Sequence, residues 1–315
     1  MFICYHVESG GFFLKGHNMD DIIGISKDRL KEAIIELIRR ASAVLPEDVV
    51  ERLKTMRDLE KPESRARRTL DSIFTNIEMA ENASRPICQD TGTVTFDIEY
   101  PFGMRQSDIE QAAREAVRAA TSKNYLRPNV VDSLSGEIKG DNIGAGHPAI
   151  YYEQSDGDIF KVMLVLKGGG CENVGAQYSL PRPDMGAGRD LNGIKKVCLD
   201  AVETALGRGC APGVLGIGIG GDRSQSYKLS KHQLHRKIND VNPDPRLAEL
   251  EEWLFEKGNK LGIGPMGFGG ETTLFAVKAG VMDRIPASYF VAVTYMCWAY
   301  RRRSMTITNG EVSYD

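Results

Sequence analysis

The 315-residue sequence has six cysteines but no C-x-x-C pair. A zinc ribbon or a thioredoxin-type redox motif is thereby excluded. No stretch approaches the roughly 20 consecutive apolar residues of a transmembrane helix, so no membrane association is expected. Neither sign of charge dominates: 40 Lys+Arg face 43 Asp+Glu, a formal net charge of -3. Without a strong positive field, nucleic acid is not an expected partner. Repeats, low-complexity tracts and linkers are absent. Residues Met1 to Asn18 lack a basic n-region and a small-residue cleavage site, so they do not read as a signal peptide. Residues 1–24 read as an N-terminal extension, with Met19 as an alternative start. With no export signal, a reducing cytoplasm is the expected setting, where cysteines are thiols or metal ligands.

What is present is ordinary in bulk. Hydrophobic residues make up 42% and charged residues 26%, as in a globular protein. The length implies one large domain or two intimate lobes, and residues 25–315 read as that unit. Leu30, Ile34, Leu37 and Ile38 share one face of a helix over 26–41 that Ser26 can cap. Residues 47–83 read as helical and heavily charged. Val94 to Tyr100 alternates as a half-buried strand. Ser107 and Glu110 form the pattern of a capping box opening a helix to Ser122. Phe160 to Leu166 is a buried strand, Asp190 to Leu206 a helix, Val214 to Ile219 a glycine-threaded strand, and Phe290 to Trp298 the last strand. A helix is expected around Leu247, Leu250 and Leu254. Helices and strands do not alternate regularly, which predicts an α+β fold of mixed sheets flanked by helices.

Glycine is the outlier, with 33 copies, about one residue in ten against a usual ~7%. In Gly216-Ile-Gly-Ile-Gly-Gly221 the glycines alternate inside a strand, which fits close backbone packing and not the G-x-G-x-x-G dinucleotide turn. Gly264-Pro-Met-Gly-Phe-Gly-Gly-Glu-Thr-Thr273 looks like a P-loop but has Glu271 where the lysine belongs, and a carboxylate there repels phosphate. Among the cysteines, Cys198 lies on an apolar helix face and reads as core. Cys4 sits in the extension. Cys88, Cys171, Cys210 and Cys297 all lie in loops or at strand ends, where functional residues concentrate. Their spacing alone leaves a thiol nucleophile, a metal site and an iron–sulfur cluster equally open.

Several ordered motifs resemble one family. Pro86-Ile-Cys-Gln-Asp-Thr-Gly-Thr93, Lys167-Gly-Gly-Gly170, Gly209-Cys-Ala-Pro212, Leu261-Gly-Ile-Gly-Pro-Met-Gly-Phe-Gly-Gly-Glu-Thr-Thr273 and Cys297-Trp-Ala-Tyr-Arg-Arg302 are similar to the class I fumarases. These are iron–sulfur hydro-lyases, a group that includes L(+)-tartrate dehydratase. The resemblance runs over residues 25 to 313 and matches the family's N-terminal domain, or its α subunit where the enzyme is split. It implies a [4Fe-4S] cluster on Cys88, Cys210 and Cys297, with Cys171 a pocket-wall residue.

The resemblance also implies the chemistry. One iron of such a cubane lacks a cysteine and serves as a Lewis acid for a substrate hydroxyl. It carries substrate binding onto Gln89, Asp90, Arg127, Lys167, Gly168, Gly169 and Gly170, with Asp90 also catalytic. The expected substrate is a small dicarboxylate: fumarate, hydrated to malate, with tartrate as the alternative. A cluster-less binding or scaffold protein is the distant alternative. The family's second domain supplies further arginines and the base, so a β subunit or C-terminal domain is an expected partner, in a homo- or hetero-oligomer. One departure is Ile285, where many members carry a histidine before the proline. His147, in Gly146-His-Pro148, is the one histidine in a comparably site-like loop.

Overall fold

A computed structural model describes residues 19–315. The expected extension therefore lies outside the described residues up to Asn18, together with Cys4. The helices, in chain order, are α1 (Met19–Ile23), α2 (Lys27–Ala43), α3 (Glu47–Leu59), α4 (Arg65–Ala83), α5 (Gln106–Ser122), α6 (Gly169–Asn173), α7 (Leu191–Ala205), α8 (Arg223–His232) and α9 (Pro245–Asn259). The strands are β1 (Thr93–Pro101), β2 (Ala149–Ser155), β3 (Phe160–Lys167), β4 (Ala176–Ser179), β5 (Gly213–Ile219), β6 (Leu274–Val281), β7 (Phe290–Met296), β8 (Arg302–Thr308) and β9 (Glu311–Tyr314).

Two sheets nucleate two cores. The first, in the order β2-β1-β3-β8-β9, is mixed: β1 runs parallel to β2 and antiparallel to β3. Val94, Phe96 and Ile98 on β1 point to one face, where they pack with Leu30, Ile34 and Ile38 of α2 and with Ala113, Ala116 and Ala120 of α5. Alanine along α5 lets that helix lie close to α2. Ser26 caps α2, its Oγ accepting from the Arg29 N–H at 3.2 Å. The second sheet, β4-β7-β5-β6, is also mixed. Its core takes side chains from α3, α4, α7 and α9, and Cys198 is buried in it, as its helix face predicts. The alternating glycines of β5 have a concrete cause. A Cβ on Gly216 or Gly218 would strike the carbonyl oxygens of Ser230 or Ser226, because α8 lies directly on the sheet.

Polar contacts join the lobes. His235 pairs with Asp97 of β1 at 2.7 Å, and Arg302 of β8 pairs with Asp48 of α3. The architecture is the α+β one expected, with helices flanking mixed sheets. Two local expectations fail. The stretch 47–83 is two helices, because Pro62 cannot continue a helix, Glu63 turns to φ 62, and Ser64 caps α4 by accepting the Arg67 N–H at 3.0 Å. The capping box at Ser107 does not form. Helix α5 starts a residue earlier, at Gln106, which puts Ser107 inside the first turn, and Arg105 pairs with Asp108 at 2.8 Å instead.

Candidate active site

The site is assembled where loops of the two lobes meet. The loop after α4 carries Cys88, Gln89 and Asp90, and it is pinned from behind. Ile87 donates to the Ser42 carbonyl at 3.0 Å, and the Asn76 amide donates to the Ile87 carbonyl at 2.8 Å. The Asp90 carboxylate folds back on its own turn, Oδ1 accepting the Gly92 N–H at 2.9 Å. Oδ2 crosses to the next loop and accepts the Gly169 N–H at 2.7 Å. Two glycines make this approach possible. Gly92 has φ +78, and a Cβ there would stand 2.5 Å from the Lys167 carbonyl. A Cβ on Gly168 would stand 3.0 Å from Asp90 Oδ2.

The remaining cysteine loops are tied to each other. Cys210 takes a left-handed φ of 56, a conformation that costs a β-carbon-bearing residue roughly 1–2 kcal/mol. It is held there by its own N–H to the Gly207 carbonyl at 3.1 Å and by its carbonyl, which accepts the Trp298 N–H at 3.3 Å. That second bond joins Cys210 to the neighbour of Cys297. The glycine-rich loop lies against the same turn: Met266 N–H donates to the Ala211 carbonyl at 2.8 Å, and Gly207 and Gly267 touch backbone to backbone. Buried Glu60 anchors this loop, accepting the Glu271 and Thr272 N–H groups, each at 2.9 Å. Here the P-loop resemblance dissolves. The loop is a brace for Cys210, not a phosphate cradle.

The thiols act on one another. Burial, and then the charges of Cys171, Cys88 and Asp90, push the Cys210 thiol up. Cys171 and Cys297 interact directly: Cys297, helped by Lys167 and Arg301, draws Cys171 down to about 6, while Cys171 and burial drive Cys297 well up. Cys210 therefore lies within electrostatic reach of Cys88, Cys171 and Cys297. Among the described residues, no three Cys, His, Asp or Glu side chains could share a single metal ion.

The other expected residues fall as follows. Gln89 and Arg127 are exposed on the same rim, and Arg127 reaches the Gln89 carbonyl at 3.4 Å. Gly169 and Gly170 are exposed, with Gly168 buried beneath Asp90. Lys167 is 5% exposed and its ammonium is paired with Glu172, which also takes Lys231 at 2.6 Å, so it meets the cavity these three line as part of an ion-paired cluster. Cys171, expected on the wall, is buried, with its thiol on the Gly168 carbonyl at 3.1 Å. His147 offers its carbonyl to Arg114 at 3.3 Å on the far side of α5. Ile285 is 68% exposed in the turn before β7, and Cys297 follows the other end of that strand, about 20 Å away. Sequence reading missed Arg301, 1% exposed, whose Nη1 donates to the Asp90 carbonyl at 2.8 Å. It also missed Tyr295, whose ring packs on Gly209 and Gly213 and whose buried hydroxyl has no partner. A run of three arginines reads as a solvated surface, so only the Cys297-Trp-Ala-Tyr-Arg-Arg302 motif itself could have signalled the first.

No helix among the described residues is long and apolar enough to cross a membrane. Comparison with known proteins agrees with these motifs. The family described as "Fumarate hydratase (Fumerase)" matches residues 31–306. A protein of Geobacillus stearothermophilus named "Putative fumarate hydratase class I" is 50% identical over 290 residues, 90% of this chain and 56% of that one. The chain thus spans about half the length of that relative. A Methanocaldococcus jannaschii protein named "Putative L(+)-tartrate dehydratase subunit alpha" is 36% identical over 280 residues, 87% of this chain and 96% of that one. The "L(+)-tartrate dehydratase subunit alpha" of Escherichia coli K12 is 31% identical over 285 residues, 89% and 91% of the two chains. With its family-specific loops meeting at one place, and a match over most of its length, this chain belongs to the fumarate hydratase (Fumerase) family.

Proposed function

We propose that residues 25–315 are the cluster-bearing part of a hydro-lyase that interconverts fumarate and malate, with a [4Fe-4S] cluster on Cys88, Cys210 and Cys297. The observation that carries the reading is the meeting of the Cys88-Gln89-Asp90 loop, the Gly168–Gly169 backbone and the joined Cys210 and Cys297 turns. When bound, such a cluster supplies a Lewis-acidic iron free of protein ligands.

The chain's own residues do the positioning. Asp90 fixes the distance between two loops, and its remaining lone pairs face the rim, where they accept a hydrogen bond from a substrate hydroxyl. Arg127 and the Gln89 amide bind one carboxylate, a pairing for which a guanidinium fork is well shaped. The exposed Gly169–Gly170 backbone admits a ligand without side-chain obstruction. Lys167 supports this loop through Glu172. One free guanidinium is thin counter-charge for a dianion, since an unpaired charge in a partly desolvated site costs several kcal/mol. A second surface, from a β subunit or C-terminal domain within a homo- or hetero-oligomer, supplies the rest, including the base. A reducing compartment such as the cytoplasm suits the five free thiols among the described residues.

A second reading, the α subunit of an L(+)-tartrate dehydratase, rests on the relatives of that name. The experiment is turnover by the anaerobically reconstituted chain with its second half, offered fumarate and L-tartrate separately. Faster use of fumarate is expected. Faster use of tartrate replaces the first reading with the second, and use of neither, without iron uptake, leaves a binding protein.

A further inference from the structure

Arg301 is enclosed to 1% exposure, yet among the described residues no carboxylate lies within ion-pair distance of it. Its neighbours in sequence differ. Arg302 pairs with Asp48, and Arg303 spends its amino groups on the carbonyls of Val44, Leu45 and Asp315. Arg301 makes one hydrogen bond, from Nη1 to the Asp90 carbonyl. Its Nε–H is buried without an acceptor, a feature it shares with Arg302 and Arg303, so what sets it apart is the missing carboxylate or set of carbonyls on its amino groups. Its Nη2 stands 3.6 Å from where a Cβ on Gly168 would lie. The Asp90 carboxylate also lies beside that position, Oδ2 at 3.0 Å, and accepts from the Gly92 and Gly169 N–H groups without pairing with the guanidinium.

A guanidinium taken out of water without an anionic partner is costly, and proteins place one so only where a partner arrives. Five N–H donors on a rigid fork, most of them unspent, lie beside the Asp90 carbonyl, two residues past Cys88, and beside the Gly168 turn that takes the Cys171 thiol, and Arg301 itself is four residues past Cys297. We propose that Arg301 is the fixed counter-charge of the thiolate-held cluster, its unspent donors stabilising the negative charge carried at Cys297 and its neighbours. This rests on the iron–sulfur reading above. Arg301 is a positioning and charge-compensating residue and touches no substrate, being closed off beneath the Gly168 turn. Two consequences follow. One-electron reduction adds negative charge to the cluster, and a nearby cation favours it. In the cluster-free protein the same cation is an uncompensated burden.

The test compares wild type, Arg301→Lys and Arg301→Gln, each with and without anaerobic loading of iron and sulfide. The readouts are the midpoint of dithionite reduction, followed by electron paramagnetic resonance, and the melting temperature of both forms. Arg301→Gln should disfavour reduction at least tenfold, a midpoint lower by about 59 mV for one electron, and Arg301→Lys should lie nearer wild type. Without a cluster, Arg301→Gln should melt no lower than wild type, so loading raises its melting temperature less. A folded Arg301→Gln that takes up no iron, while Arg301→Lys does, also supports the assignment. An unchanged midpoint in loaded Arg301→Gln overturns it. So does a cluster-free Arg301→Gln that melts lower or does not fold, for Arg301 is then a structural tie to the Asp90 carbonyl. If wild type itself binds no iron and sulfide, the iron–sulfur reading has failed first, and that fault shows without any variant.

Discussion

Asp90 Oδ2 accepts the backbone N–H of Gly169 at 2.7 Å, so the carboxylate of one motif locks the backbone of another. With Oδ1 on Gly92 at 2.9 Å, Asp90 acts as a clamp between the Cys88 loop and the loop after β3. Hydrogen bonds to a charged group contribute about 1.5–3 kcal/mol each, less where solvent reaches them. Asp90→Ala should therefore cost about 2 kcal/mol of stability and most of the turnover. Chemical denaturation and a steady-state assay measure the two losses. Wild-type stability in Asp90→Ala would show that the clamp carries no load.

Gly92 should be intolerant of any side chain. Its φ of +78 is already unfavourable for an L-residue, and a Cβ would press into the Lys167 carbonyl at 2.5 Å. Gly136 provides the control, with a similar φ of +74 but open space around it. Gly136→Ala should cost about 1 kcal/mol from backbone strain alone. Gly92→Ala should cost more than about 3 kcal/mol, since strain and overlap add. Equal urea midpoints for the two variants would contradict the close approach.

How much of this was legible beforehand differs by element. The β1 alternation, the α2 stripe and the alternating glycines of β5 each reflect one local cause, namely a buried face or a helix against backbone, and each read correctly. Helices α1, α6 and α8 and strands β2, β4, β6, β8 and β9 did not register. Arg302, buried, and Arg303, half-buried, open β8 and hide its period, and β9 pairs only with β8 at the sheet edge. The cysteine loops were visible as motifs, but the role of Lys167 was not. Its neighbours in sequence are the exposed Gly169 and Gly170, while its partner Glu172 lies five residues on, across a turn. Nor does sequence distinguish Arg301 from Arg302, because a carboxylate's presence or absence is decided by tertiary packing.

His232 should make stability depend on acid. Burial, and then the charge of His235, hold its imidazole below the usual value of 6.5. The unfolded chain therefore binds this proton more readily, and stability rises with pH wherever that holds. The contribution is complete above the unfolded value and is lost as pH falls through 6.5 toward the lowered folded value. Between about pH 7.5 and about pH 5.5, wild type should lose more stability in urea than His232→Gln does. Parallel losses would mean that His232 is already solvated.

The cysteines should separate by role. Serine at Cys88, Cys210 or Cys297 should abolish stable iron binding, while Cys198→Ser leaves it intact and only weakens the core. Cys171→Ser should keep the iron, because a hydroxyl still reaches the Gly168 carbonyl that the thiol holds at 3.1 Å. Iron analysis after anaerobic gel filtration reads this directly. Loss of iron from Cys171→Ser, with retention in Cys88→Ser, would exchange the roles of those two residues.

The most direct measurement is the iron and acid-labile sulfide content of the anaerobically reconstituted wild-type chain, set beside Cys210→Ser. The account predicts about four irons and four sulfides per wild-type chain, the content of one cubane, and near-complete loss of both in the variant. A wild-type chain that holds no sulfide, or one iron without sulfide, or a variant that holds as much as wild type, would contradict it.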